Sequence, residues 1–295
     1  MRLHVKLLIA MMLFSAPAFA DAWSSELALT PEKSEQLQTL RMRFEVTNQT
    51  ASPVRGATLA TYLPMAVGPN QRLVKVEASS DARLLKKGDE RALEVRLPDI
   101  GPHGSAVVTV TAHVAVQSKT RALPRPGRWA TAAEALIEVD DPAIMKQAGA
   151  LVRKTTAETA RAIYDLVWQR VRYKGYTARD KGAKQALSTR VGDCSEMAYL
   201  FVALARAAGI PARYMGGYVT DSSALLVPHG YHNWAQWYDG RTWRIADPQK
   251  RAFDDASATF IATNAGGSAG PALVAGAHRY RVDAPSLRAR MLGGR

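Results

Sequence analysis

The chain of 295 residues contains one cysteine, Cys194. With no second thiol there is no intrachain disulfide, and a stapled scaffold is excluded. Past the first fourteen residues no uninterrupted apolar run is long enough to span a bilayer. Acidic residues are scarce, 26 Asp and Glu against 39 Lys and Arg, for a formal charge of +13. No internal repeat is evident. A hydrophobic content of 47% is nevertheless that of a globular chain with a real core.

The N-terminus has a basic start, Met1-Arg2-Leu3-His4-Val5-Lys6, then apolar residues from Leu7 to Phe14, then Ala18-Phe19-Ala20. This is the pattern of a cleaved secretory signal over residues 1–20, and the short apolar run disfavours an uncleaved anchor. The expectation is a periplasmic or secreted protein starting near Asp21, with no transmembrane anchor after cleavage. Loss of Arg2 and Lys6 leaves +11 of the +13. Such an excess favours anionic partners in general. Export argues against nucleic acid, and the scattered placement of Lys86, Lys87, Arg125, Arg128, Arg153, Lys154, Arg288 and Arg290 reads as a solvated basic surface. Exported cysteines usually come in disulfide pairs. A single one is a reactive thiol, an intermolecular partner or a buried inert residue, and its surroundings must decide.

Residues 38–117 alternate with the period of β-strands, and the domain they define is expected to span 21–117. Met42, Phe44 and Val46 share a face, as do Val74 and Val76, Leu93 to Leu97, and Val108 to Val116. Short strands punctuated by turns predict a β-sandwich, with an immunoglobulin-like arrangement as one form of it. No chemistry is visible there; its expected role is packing, positioning or binding of a cell-envelope component. Residues 118–139 read as a linker, with Pro124, Pro126 and Gly127 as breakers. Asn48-Gln49-Thr50 matches a glycosylation sequon, to which no weight attaches here.

The period then becomes helical. Asp141-Pro142 is a cap followed by proline, and Thr155-x-x-Glu158 a capping box. Ala160, Ile163, Tyr164, Val167, Trp168 and Val171 fall on one helical face, which predicts Trp168 in the core. The catalytic candidate region is 140–263. The tail, 264–295, is rich in glycine and alanine and offers only a short strand around Tyr280.

Cys194 opens an amphipathic run that carries Met197, Leu200, Phe201, Leu204, Ala205 and Ala208 on one face and stops at Gly209 and Pro211. Asp193 and Glu196 form a capping-box pattern around it. The thiol therefore sits in the first turn, where free N–H groups and the helix dipole favour an anion. The thiolate is the nucleophilic form. Asp193 opposes this only if its charge faces the sulfur, and it is expected to face the backbone.

Two aromatic-rich runs, Tyr231–Tyr238 and Arg241–Asp247, flank Asp239-Gly240. A two-residue hairpin turn there pairs Tyr238 with Arg241 and, continuing, His232 with Asp247. An imidazole opposite a carboxylate is a base held in one tautomer. By itself such a pair is commonly structural; beside an unpaired cysteine it suggests a nucleophile, base and orienter. His229 and His232 form an H-x-x-H, but without helical spacing or a clear third ligand, so no metal is assigned. His103 and His113 read as structural. Trp234, Trp237, Trp243 and Tyr218 suit a cleft or a core equally.

The combination of Gly192-Asp193-Cys194, Gly209-Ile210-Pro211-Ala212-Arg213, Gly216-Gly217-Tyr218, His232-Asn233-Trp234 and Asp247-Pro248 resembles the transglutaminase-like superfamily over about residues 140–255. The resemblance implies an α+β chain, with the sandwich followed by a papain-like core whose nucleophile helix packs on an antiparallel sheet. It implies Cys194 as nucleophile, His232 as base and then acid, and Asp247 as its orienter. The activity implied is acyl transfer on peptides or proteins through a thioester, as a cysteine peptidase or amidase or as a transamidase, with no cofactor; a non-catalytic binding module on the same fold is the rival. The Cys194 N–H supplies one oxyanion donor, and Gln185, Tyr173 and Trp168 are candidates for the second.

Overall fold

The computed structural model describes residues 23–27, 32–177, 179–254, 259–266, 272–274 and 279–293. The expected secretory segment, 1–20, lies outside the described residues.

The N-terminal part supplies β1 (Trp23–Glu26), β2 (Gln36–Asn48), β3 (Thr58–Leu63), β4 (Gln71–Ala78), β5 (Ala82–Lys87), β6 (Glu90–Arg96) and β7 (Ser105–Val116). Next come α1 (Pro142–Leu151), α2 (Thr156–Arg170), β8 (Arg172–Tyr173), α3 (Gly182–Thr189), β9 (Val191–Gly192), α4 (Cys194–Ala207), β10 (Ala212–Val219) and β11 (Ala224–Leu225). The chain ends with β12 (Tyr231–Tyr238), β13 (Trp243–Asp247), β14 (Ala252–Phe253), β15 (Phe260–Ala265), β16 (Tyr280–Val282) and β17 (Leu287–Met291).

The alternation of the early strands buries one face of each. One sheet runs β1-β4-β7-β2-β11, with β17 also on β2; the other runs β16-β3-β6-β5. Leu40, Phe44, Val110 and Val114 of the first meet Leu59, Leu63, Leu93 and Val95 of the second in one core, a β-sandwich. The expected pairing of Val74 with Val76 on the core face is corrected. The register of β4 against β7 shifts between Leu73 and Lys75, so Leu73 and Val76 are buried and Val74 is not. His113 contacts Thr39 Oγ1 and Glu77, a structural role as expected. The sequon Asn48 is buried, and its Nδ2 donates to three carbonyls.

The sandwich is completed from far along the chain. β11 pairs in parallel with Leu40 and Arg41 of β2, and β17 pairs antiparallel with Phe44 to Asn48 on the same edge. β16, the short strand expected around Tyr280, adds to β3. Tyr218, Leu226 and Ile261 enter the sandwich core as well. The segment read as a tail thus supplies two strands to the first domain.

The second half is an antiparallel sheet, β14-β13-β12-β10-β15, with α4 packed on β10, β12 and β13 and with α1, α2 and α3 packed on α4. Asp141 and Thr155 cap α1 and α2 as expected. Helix α4 departs from expectation. Every residue from Ser195 to Arg206 is buried, because the sheet covers one side of it and three helices the other. Its polar residues are therefore committed: Arg206 donates to Ala212 O, Ala132 O and Glu134. Gly209, at φ +80°, ends α4, and Gly209 N–H and Ile210 N–H reach back to Arg206 O and Ala205 O. Trp168 is not in the core; it is 41% exposed, with the Arg251 guanidinium 5.2 Å from its ring. Among the described residues no helix is long and apolar enough to cross a membrane.

Candidate active site

Cys194 is the first residue of α4, so its N–H has no partner within the helix. The turn before it is fixed from below. Asp193 Oδ1 accepts from Ser195 N–H at 2.8 Å, and its Oδ2 accepts from Thr177 N–H at 2.9 Å and Thr177 Oγ1 at 3.0 Å. Glu196 Oε2 accepts from Asp193 N–H, and Oε1 from Lys181 N–H. The Asp193 charge thus faces backbone, as expected, and the loop before α3 is tied to the start of α4. Burial alone would raise Asp193, but these donors hold it low; burial and the Asp193 charge push Glu196 up. Gly192 is required here, since a Cβ on it would collide with Glu196 Cβ.

His232 enters from β12. Its Nε2 lies 2.6 Å from Asp247 Oδ2, and both side chains are almost fully buried. The route to this contact differs from the expected one. Asp239 Oδ1 accepts from both Arg241 N–H and Thr242 N–H, making a four-residue loop of 239–242. Tyr238 therefore pairs with Trp243 instead of Arg241, and Ala235 with Ala246. Continued one pair further, this register sets Asp247 across from Trp234 and makes His232 its diagonal neighbour. A slip of two residues preserves the face, so the pair survives. Asp247 Oδ1 accepts from Lys250 N–H, which fixes the carboxylate.

With Nε2 committed to Asp247, Nδ1 is the ring nitrogen left to serve the Cys194 sulfur, which shares the cavity lining with His232. Burial penalises the imidazolium, but Asp247 and Cys194 outweigh it and push His232 up to about 9 from 6.5. Across the sheet, Gly216 pairs with Asn233 and Gly217 with His232. A Cβ on Gly217 would collide with Ile261 O and crowd Trp234, and one on Gly216 would collide with Tyr231 Oη.

Asn233 is a residue that sequence reasoning passed over, although it lies between His232 and Trp234 in the quoted motif. Its Nδ2 donates to Ser195 Oγ at 2.9 Å and approaches Cys194 Sγ at 3.8 Å. Alternation along a strand sends Asn233 to the helix side of the sheet, and that was the available signal.

The three oxyanion candidates part company. Tyr173 lines the cavity that holds Cys194; Gln185 and Trp168 do not. Gln185 is exposed on α3. Burial, with the nearby Cys194 and Asp193, pushes the Tyr173 phenol up, so it keeps its proton. Trp234, Trp237, Trp243 and Tyr218 are core residues. The cavity, of about 750 Å³, has Tyr173, Cys194, His232 and Asn233 in its lining, together with residues of the 228–231 turn. His229 also lines it, while the Nε2 of His232 is spent on Asp247. Among the described residues no group of three or more His, Cys, Asp or Glu is placed to hold a metal ion.

A helix that presents a thiol at its N-terminus, packed on an antiparallel sheet carrying a His–Asp pair, defines a papain-like thiol fold. Residues 146–248 match the family model of the Transglutaminase-like superfamily, and the chain carries a transglutaminase-like domain there. A solved structure described as "a Putative Cysteine Protease from Cytophaga hutchinsonii" is similar to this chain at TM-score 0.59 and 18% identity, over 92% of this chain and 90% of that one. The periplasmic domain of TgpA from Pseudomonas aeruginosa gives TM-score 0.37 at 17% identity, over 70% of this chain and 87% of that one. No curated protein matches.

Proposed function

We propose that this protein is an exported cysteine peptidase or amidase, in which Cys194, His232 and Asp247 carry out acyl transfer from an amide. The observation that carries the reading is the buried 2.6 Å contact of His232 Nε2 with Asp247 Oδ2, on a ring that lines the same cavity as the one thiol of the chain. His232 Nδ1 takes the thiol proton, and the sulfur attacks the amide carbonyl carbon. The oxyanion is met by Cys194 N–H and the Tyr173 hydroxyl. As the C–N bond breaks, His232 returns its proton to the leaving amine, and a thioester remains. Water, deprotonated by His232, then attacks this ester; the C–S bond breaks and the thiol is restored. Asn233 N–H holds the sulfur in place throughout. The neighbour that shares the fold carries the description "Putative Cysteine Protease", in keeping with the same chemistry here.

The test combines a thiol-directed activity probe with mass spectrometry of peptide and envelope extracts treated with the wild type and with Cys194→Ala. Newly hydrolysed amides that depend on Cys194 are the expected result. New isopeptide bonds would instead make the protein a transamidase. Labelling absent and extracts unchanged would overturn the catalytic reading in favour of a binding module.

A further inference from the structure

The lining of the active-site cavity is one-sided in charge. Among the described residues it contains Lys250, Arg279, His229 and His232, and neither aspartate nor glutamate. Asp247 lies behind His232 and Asp193 beneath the helix start, both almost fully buried and both already satisfied by donors. Neither Lys250 nor Arg279 makes an ion pair with a described carboxylate. Elsewhere the protein pairs its cations freely, as in Arg72 and Arg121 with Glu35, or Arg244 with Asp239.

Arg279 is also held in place. It belongs to the segment that returns to the sandwich, where Tyr62 N–H and Thr61 Oγ1 donate to its carbonyl. Its Nη1 donates to Pro228 O, and its guanidinium lies 5.3 Å from the Tyr231 ring. The remaining nitrogens of a guanidinium fixed this way are a ready-made fork for a carboxylate. Lys250 also lines the cavity, three residues after Asp247, and its backbone N–H is tied to that carboxylate. A cleft lined by a fixed guanidinium and a lysine, with no acid among its described lining residues, concentrates anions at its mouth.

We propose that the cavity selects acidic peptides, with a substrate carboxylate docking on Arg279 and a second negative charge favoured by Lys250. This rests on the acyl-transfer reading of the same site and adds the class of substrate.

The experiment measures binding apart from turnover. Fluorescent peptides of equal length, acidic, neutral and basic, are titrated into Cys194→Ala and followed by anisotropy. The acidic peptide is expected to bind about tenfold tighter than the neutral one, as one charge-assisted contact would give. That preference should shrink in high salt. It should fall with Lys250→Gln, an exposed position, and with Arg279→Gln; Arg279→Lys should keep part of it. If Arg279→Gln is misfolded, Lys250→Glu decides alone by abolishing or reversing the preference. Equal binding of the three peptides, or a preference for the basic one, overturns the proposal. Wild-type turnover on the same peptides is read in parallel. Acidic selectivity without turnover would sink the catalytic reading and leave this one standing, and turnover without selectivity the reverse.

Discussion

His232 and Asp247 are diagonal neighbours on one face of the β12–β13 hairpin, with Nε2 and Oδ2 2.6 Å apart in the buried interior. The carboxylate, with the Cys194 sulfur, pushes the imidazole up to about 9. The folded chain therefore holds this proton more tightly than the unfolded one. His232 contributes stability in full below its ordinary 6.5, and the contribution fades as pH rises through about 9.

Asp247→Asn keeps an acceptor for Lys250 N–H but removes the charge beside His232. The stability lost should be largest near pH 6 and nearly absent near about pH 10, as urea denaturation at the two values will show. Equal losses at both would mean that the carboxylate does not set the imidazolium. Turnover should fall by about a hundredfold or more, because the ring loses its preferred tautomer.

Gly192→Ala tests the platform beneath the thiol. The added methyl would collide with Glu196 Cβ, which is fixed to the backbone and cannot rotate away. The expected cost is about 1–3 kcal/mol, seen as a lower Tm, together with slower alkylation of Cys194 as the helix start shifts. An unchanged Tm would show that the turn has room to spare.

The parts of this fold that were legible in the sequence are those governed by neighbours along the chain. Capping at Asp141, Thr155 and Asp193 follows from side chains reaching two or three residues on, and all three caps are present. The alternation of β2, β6 and β7 reports burial of one face, and those faces are buried. What was not legible depends on partners remote in sequence. The all-round burial of α4 needs both a sheet and three helices, so its apolar stripe gave only half of its surroundings. The Asp239 side chain remakes the expected tight turn into a longer loop and moves Asp247 off the position directly opposite His232, yet the two still meet on one face because the slip was even. Nothing in the glycine- and alanine-rich C-terminal stretch has a period that would announce β17 as an edge strand of the first domain. Asn233 was hidden by its neighbours in the motif, although alternation placed it on the side of α4.

Asn233→Ala should lower turnover by about ten- to a hundredfold, the worth of a hydrogen bond to a charged group. Asn233→Asp should be worse, since it sets a carboxylate against the sulfur. Stability should change little in the alanine variant: Asn233 Oδ1 is buried without a partner, so the substitution also removes an unsatisfied acceptor. Kinetics on a common substrate, with a thermal melt of each variant, separate the two effects. Full turnover in Asn233→Ala would confine the residue to packing.

The returning strands make a prediction about assembly. Leu287 and Met291 are buried in the sandwich core, and β17 covers the edge of β2 from Phe44 to Asn48. Truncation before Ser286 would expose both apolar surface and a row of unpaired backbone groups, the combination that invites edge-to-edge association. Arg279, in the segment that precedes β16, would remain, but the strands that anchor it to the sandwich would be reduced to β16 alone. The truncated protein should therefore melt at lower temperature and sediment partly as higher-order species, and it should bind acidic peptides more weakly although no cavity residue has been removed. The substitution Leu287→Asp, which keeps the strand and spoils only its buried face, should reproduce the lower melting temperature with less association. If truncation leaves both stability and sedimentation unchanged, β17 contributes nothing to the sandwich beyond its hydrogen bonds to β2, and the coupling of the C-terminal segment to the cleft fails with it.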